Sequence, residues 1–211
     1  MPVPRTIYTI WLNENPQRPE IVEKCLASQQ LPGYEHRLIG MDSPEWLQVQ
    51  DESRYMRECA PTQRWTKASD YLRMWLLWKY GGIFLDADME IIPGKNFDDM
   101  LNCRMWIPWE FNGFLGNSGM GSEPGHSFLR HYMDLIDQNF RGDGELVFQI
   151  GMTLFNDILY TADKAALGIT IVGTDYFFPY NHMTGKTEIT ENTRVIHHYR
   201  KGWTMPSKVP I

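Results

Sequence analysis

Asp86 and Asp88 stand one residue apart in KYGGIFLDADMEIIPG (79–94), where a short apolar run ends. In an extended segment residues i and i+2 point to the same side, so both carboxylates can face one cavity. Two hard oxygens from one short element, with coordination positions left open, suit Mg²⁺ or Mn²⁺. The same spacing also fits two acids that cap a turn or face water. Upstream, Ser69, Asp70 and Arg73 fall within about one helical turn, at the margin of an apolar face made by Tyr71, Leu72 and Trp75. An acid and an arginine in that position form either a structural ion pair or one wall of a polar pocket. In IHHYRKGW (196–203), His197 and His198 offer neutral imidazoles, and Arg200 and Lys201 offer positive charge. A solvated strand end is the alternative reading there. Asn117 and Ser118 lie in the glycine-rich stretch FNGFLGNSGMGSEPGH (111–126), which reads equally as a plain turn or as a loop that meets a ligand.

The elements that must position these groups alternate along the chain. TIYTIW (6–11) reads as a strand, EIVEKCLASQQ (20–30) as a helix with Ile21, Val22, Cys25 and Leu26 on one face, and HRLIG (36–40) as a second strand. Residues 41–61 are polar and irregular, with a short helix near Trp46. RWTKASDYLRMWLLWKY (64–80) is the clearest helix, stopped by Gly81-Gly82, whose turn returns the chain toward Asp86. IFL (83–85) has the composition of a buried parallel strand, and MEII (89–92) follows as another. Helices are expected over 126–140 and 145–159, and strands over 169–173 and 193–199. This order predicts an α/β protein with a central, mainly parallel sheet flanked by helices. At 211 residues without an internal repeat or linker, residues 1–211 are expected to form a single domain.

Composition narrows the function classes. Twenty basic against 26 acidic residues, with no basic block, exclude a general attraction for nucleic acid or anionic membrane. Three well-separated cysteines argue against a disulfide framework or a zinc site. The opening MPVPRTIYTIW lacks the apolar centre of a signal peptide, and no run approaches the roughly 18 apolar residues of a membrane span. The expectation is a cytoplasmic protein, with peripheral attachment at the inner face of the membrane left open.

The block KASDYLRMWLLWKYGGIFLDADME (67–90) resembles the DXD-containing sugar-transfer region of family 32 glycosyltransferases, the group with the Och1-type mannosyltransferases. It is more distantly similar to the glucosylating domains of clostridial toxins. VPRTIYTIWLNENP (3–16), GSEPGHSFL (121–129) and IHHYRKGW (196–203) resemble further family segments in the same order. The resemblance implies a GT-A-type, Rossmann-like fold and a UDP- or GDP-sugar donor. It further implies a saccharide or glycolipid acceptor, retention of configuration and a divalent metal, commonly Mn²⁺ with Mg²⁺ as the alternative. Capsule or lipopolysaccharide synthesis is the implied setting.

On that resemblance Asp86 and Asp88 occupy the DXD positions, and Asp70 and Arg73 match the pair that holds the donor sugar. Trp11 matches an aromatic that stacks on the base. Ser69, Asn117 and Trp203 join the donor-binding set, and His198, or else His197, matches a third metal ligand. Tyr8 stands where many relatives carry His or Gln, and Gly202 replaces the usual serine before Trp203; both differences bear on donor choice.

A metal clamp suits this reaction, because negative charge grows on a leaving diphosphate and a bridging cation stabilises it. Asp86 and Asp88 are too close along the chain to flank a sugar as glycosidase carboxylates do. Two rivals remain. A haloacid-dehalogenase-like phosphatase also has Asp-x-Asp after an apolar strand, but a Thr or Val normally stands where this chain has Glu90. A transferase-like domain that binds nucleotide sugar without turnover is the other.

Overall fold

The structure is a computed structural model that describes residues 2–13, 17–59, 65–110, 113–142, 151–181 and 184–199. β1 (Thr6–Ile10) and β2 (Glu35–Ile39) pair in parallel, with α1 (Glu20–Ser28) as the crossover. The β-branched and aromatic residues of β1 are buried on both faces, as a central parallel strand requires. The helix buries Ile21, Val22, Cys25 and Leu26, the face that its spacing predicts.

Residues 41–59 depart in part from the sequence expectation. The short helix expected near Trp46 is α2 (Pro44–Glu52), and a second helix, α3 (Arg54–Cys59), stands where an irregular stretch was expected. Pro44 at the first helical position starts α2. Trp46, Val49, Tyr55 and Met56 then supply buried contacts that the polar composition conceals. Glu45 is also buried and is neutralised by an ion pair with Arg37, so an acid sits on the inner face and blurs the periodicity.

α4 (Trp65–Tyr80) is buried almost all round, from Ala68 and Asp70 through Leu77. It packs against the sheet through β1 on one side and against a later helix, Ser127–Asn139, on the other. Each large apolar side chain removed from water this way contributes about 1.5–3 kcal/mol. The helix ends where Gly81 N–H donates to the Leu77 carbonyl at 2.9 Å with φ at +66°. Gly82 opens β3 (Gly82–Leu85) at φ +117°, and a Cβ there would lie 2.6 Å from the Thr6 carbonyl oxygen. Only glycine lets β3 come this close to β1.

β4 (Met89–Ile91), β5 (Met105–Pro108), β6 (Gly119–Ser122), α5 (Ser127–Asn139), α6 (Met152–Thr161), α7 (Lys164–Leu167) and β7 (Ile169–Val172) follow. The helix expected over 145–159 thus begins within the described residues at Met152, and 145–150 lie outside them. Two short strands, β8 (Tyr180–Asn181) and β9 (Lys186–Thr187), make a hairpin, and β10 (Val195–His197) closes the described chain.

The main sheet has the order β2-β1-β3-β6-β5-β7. β6 runs antiparallel to both neighbours, and the other pairs are parallel. The expected α/β architecture with a mainly parallel sheet flanked by helices is the one observed. β5 and β6 are additions to that expectation, because GMGS has almost no side chains with which to show an alternation. Its glycines serve packing instead: a Cβ on Gly121 would fall 2.3 Å from Nε1 of Trp106, whose indole stacks on Phe177. β4 pairs antiparallel with β10, which carries the late histidines back beside the Asp86–Asp88 turn. Among the described residues, no helix is long and apolar enough to cross a membrane.

Candidate active site

Asp86, Ala87 and Asp88 form the turn between β3 and β4. Asp86 N–H donates to the Ser118 carbonyl at 2.8 Å. The Asp86 carbonyl accepts from Met89 N–H at 3.0 Å and from the buried Gln29 amide at 3.2 Å. Ala87 is buried in a small cluster with Trp11 and the inner face of α1. The turn is therefore fixed on three sides, and both carboxylates line one cleft of about 760 Å³.

Arg73 of α4 reaches the same cleft at 5% exposure, so its charge must be matched inside the protein. Its Nη2 lies 3.3 Å from Asp70 Oδ1 and its Nη1 lies 3.2 Å from Asp86 Oδ1. The guanidinium also donates to the carbonyls of Asn117 at 2.9 Å and Ser69 at 3.2 Å, and its Cζ sits 4.6 Å from the Phe84 ring centre. Asn117 Nδ2 donates to Asp70 Oδ1 at 3.4 Å. Gly151 closes over Asp70 from behind at φ +88°, where a Cβ would come within 2.7 Å of Asp70 Oδ2. The two sequence alternatives are thus both present: Asp70–Arg73 is an ion pair, and it forms a wall of the pocket.

His197 Nε2 lies 3.3 Å from Asp88 Oδ1. One ligand atom from each of Asp86, Asp88 and His197 lies within 4.8 Å of the others. His198, the residue expected first as a ligand, is turned away: its ring bonds Glu90 Oε2 at 2.9 Å, and Lys24 holds the other Glu90 oxygen at 3.1 Å. The cause is the alternation of side chains along β10 and into the residue just past its end: His197 closes the strand in register with Met89, and His198 takes the opposite side. His198 still contributes through its backbone, donating to the Asp88 carbonyl at 3.0 Å.

The electrostatics fit a cation. Four carboxylates, Asp70, Asp86, Asp88 and Glu110, line the cleft against Arg73 and His197, counted among the described residues. Burial, reinforced by Asp88 and Asp70 and opposed by Arg73 and His197, pushes the Asp86 carboxyl up to about 6. Burial likewise raises Asp70 and Glu110. For His197, burial works to lower the pKa, but the nearby Asp88, Asp86 and Glu110 carboxylates outweigh it and hold the ring above its ordinary value. His197 Nδ1 is buried with no hydrogen-bond partner. Carboxylates crowded against one another beside an underused imidazole are the donor set of a divalent cation site.

Of the residues singled out from sequence, Trp11, Ser69, Asp70, Arg73, Asp86, Asp88, Asn117, Ser118 and His197 all line the cleft. Trp203, with Arg200, Lys201 and Gly202, lies outside the described residues. Glu110, Tyr199, Trp65 and Thr66 line the cleft without having been picked out. For Glu110 the available signal was an acid directly after the apolar run MWIPW; for Tyr199 it was adjacency to the paired histidines.

The fold is of the GT-A glycosyltransferase kind. The fold is similar to that of the PaToxG glycosyltransferase, with a TM-score of 0.59 and 17% identity over 75% of this chain and 69% of that one. The sequence model of the family described as capsular polysaccharide synthesis protein matches residues 2–110, and the chain belongs to that family. Looser similarities run to a glycosyltransferase involved in the glycosylation of the major capsid of PBCV-1 (TM-score 0.48, 9% identity, 93% of this chain and 94% of that one). Another is the apo-form glycosyltransferase GlyE of Streptococcus pneumoniae TIGR4 (TM-score 0.47, 13% identity, 87% of this chain and 48% of that one). No curated protein matches the sequence at a significant level.

Proposed function

We propose that the protein, acting as one domain, transfers a sugar from a UDP- or GDP-sugar to a saccharide or glycolipid acceptor in capsular polysaccharide synthesis. The transfer depends on a divalent metal and proceeds with retention. The observation that carries this reading is the convergence of Asp86, Asp88 and His197 with the Asp70–Arg73 pair on one cleft at the end of the sheet. The narrower kinship with family 32 rests on the 67–90 block. The cytoplasmic setting, with at most peripheral attachment to the membrane, belongs to the same proposal.

Asp86, Asp88 and His197 would hold the metal, Mn²⁺ first and Mg²⁺ second. When bound, the ion offsets the charge that builds on the departing diphosphate. Arg73, fixed by two carboxylates and two carbonyls, presents the remaining face of its guanidinium to the sugar or diphosphate without reorganising. Asp70 orients that arginine and accepts from a sugar hydroxyl. Asn117 and Ser69 border the sugar position, and Trp11 offers its indole to the base at the β1 end of the cleft. Trp203 keeps its donor-side assignment as part of the proposal. Nothing in the cleft favours the phosphatase reading, since Asp86, its required nucleophile, is engaged by Arg73.

A thermal-shift screen of nucleotide sugars with and without Mn²⁺ tests this. The expected outcome is a metal-dependent rise in melting temperature for one donor class, absent in Asp88→Asn. Equal shifts in EDTA and in Mn²⁺ would contradict it.

A further inference from the structure

We propose that Glu110 is a sugar-contacting residue of this cleft, whose carboxylate accepts a hydrogen bond from a hydroxyl of the transferred sugar. The assignment rests on the glycosyltransferase reading and adds a residue that neither the sequence motifs nor the family match picks out.

Glu110 follows β5, where Trp109 N–H donates to the Val172 carbonyl and Glu110 N–H donates to the Phe114 carbonyl, at 2.9 and 2.8 Å. These bonds fix the backbone and aim the side chain into the cleft. The residue is only 7% exposed, and its Oε2 makes no hydrogen bond of ordinary geometry, the Tyr199 hydroxyl being the donor that faces the carboxyl. Space has been left for it: a Cβ on Gly116 would lie 3.1 Å from that oxygen and 2.8 Å from Phe178 Cζ. The cations lining the cleft among the described residues are committed elsewhere, Arg73 to Asp70 and Asp86, and His197 to Asp88. Glu110 is not part of the group of ligand atoms that could hold a metal.

A buried carboxylate with one hydroxyl neighbour and no well-formed bond at Oε2 keeps accepting capacity that the fold leaves unused. A neutral hydroxyl donor arriving with the ligand supplies the missing bond. Glu110 feels the charges of both Asp86 and His197, which places it beside the diphosphate-holding cluster. The diphosphate carries the nucleoside ribose on one side and the transferred sugar on the other; with the base assigned to Trp11 after β1, the β5 side where Glu110 stands is left for the transferred sugar. Tyr199, whose hydroxyl neighbours the Glu110 carboxyl, holds it from the β10 side.

The test is calorimetric binding, with Mn²⁺ present, of UDP and GDP against UDP-glucose, UDP-galactose, UDP-N-acetylglucosamine and GDP-mannose, for wild type, Glu110→Ala and Glu110→Gln. The expected result is unchanged affinity for Mn²⁺ and for the nucleoside diphosphates. The sugar nucleotide that the wild type prefers should weaken about ten- to a hundredfold in Glu110→Ala. Glu110→Gln, which keeps a carbonyl acceptor and nearly the same shape, should fall between and serves as the fold control. Unchanged sugar-nucleotide affinity in both variants would overturn the assignment. So would a loss shared equally by the nucleoside diphosphate or by Mn²⁺ alone. A wild type that binds no nucleotide would overturn the transferase reading itself, and this assignment with it.

Discussion

Asp86 is held in a position that its ionised form resists, because burial and the carboxylates of Asp88 and Asp70 raise it from 3.8 to about 6 despite Arg73 and His197. The consequence for stability has a definite sign. Between those two values the folded state binds more protons than the unfolded state, so metal-free stability falls as pH rises through that window. The loss from this group alone is about 2 kcal/mol. In EDTA, the stability of Asp86→Asn relative to wild type should therefore improve by that amount between pH 4 and pH 7. Urea melts at both pH values measure it, and a pH-independent difference would contradict the assignment. The same residues show what single side chains reveal in sequence. Asp70, Arg73, Asp86 and Asp88 were legible because their spacing has a chemical meaning. Glu110 and Tyr199 were not, because what brings each to the cleft is the pairing of β5 and β10 with strands far away in the chain. The choice between His197 and His198 needed the β4–β10 register, which no local pattern encodes.

At the scale of elements, the glycine turn between α4 and β3 sets where the aspartates arrive. At Gly82 both the positive φ and the 2.6 Å approach to the Thr6 carbonyl forbid a side chain, whereas Gly94 has a positive φ and open space around its missing Cβ. Gly82→Ala should cost about 2 kcal/mol or more, and Gly94→Ala about 1 kcal/mol. Denaturant midpoints compare them directly, and equal losses would mean that the strand approach is not limiting. β1, α1, α4 and β3 could be read from sequence because each carries a clear period or a continuous apolar run. β5 and β6 escaped because MWIP is short and GMGS leaves its face to the Trp106 indole of the neighbouring strand. The extent of α2 and the presence of α3 escaped because their buried residues are interleaved with charged ones, one of which, Glu45, is itself buried.

Across the whole molecule, the sheet brings one edge of the protein together from four directions. Trp11 and Leu12 follow β1, the Asp86–Asp88 turn follows β3, and Glu110 follows β5, all at carboxyl ends of strands. β6 runs the other way, so Asn117 and Ser118, which precede it, meet the same edge from its amino end. β10 then lays His197 across the mouth. Binding at the carboxyl edge is the general habit of open α/β sheets; here the reversed strand adds a wall that a purely parallel sheet would lack. The central claim is that this edge is a metal-dependent sugar-transfer site. Its most direct test is the release of nucleoside diphosphate from UDP- or GDP-sugars without acceptor, comparing wild type with Asp88→Asn in Mn²⁺ and in EDTA. Slow hydrolysis by wild type in Mn²⁺, lost in EDTA and reduced about a hundredfold or more in a folded Asp88→Asn, is the predicted result. Undiminished hydrolysis by Asp88→Asn, or by wild type in EDTA, would contradict it.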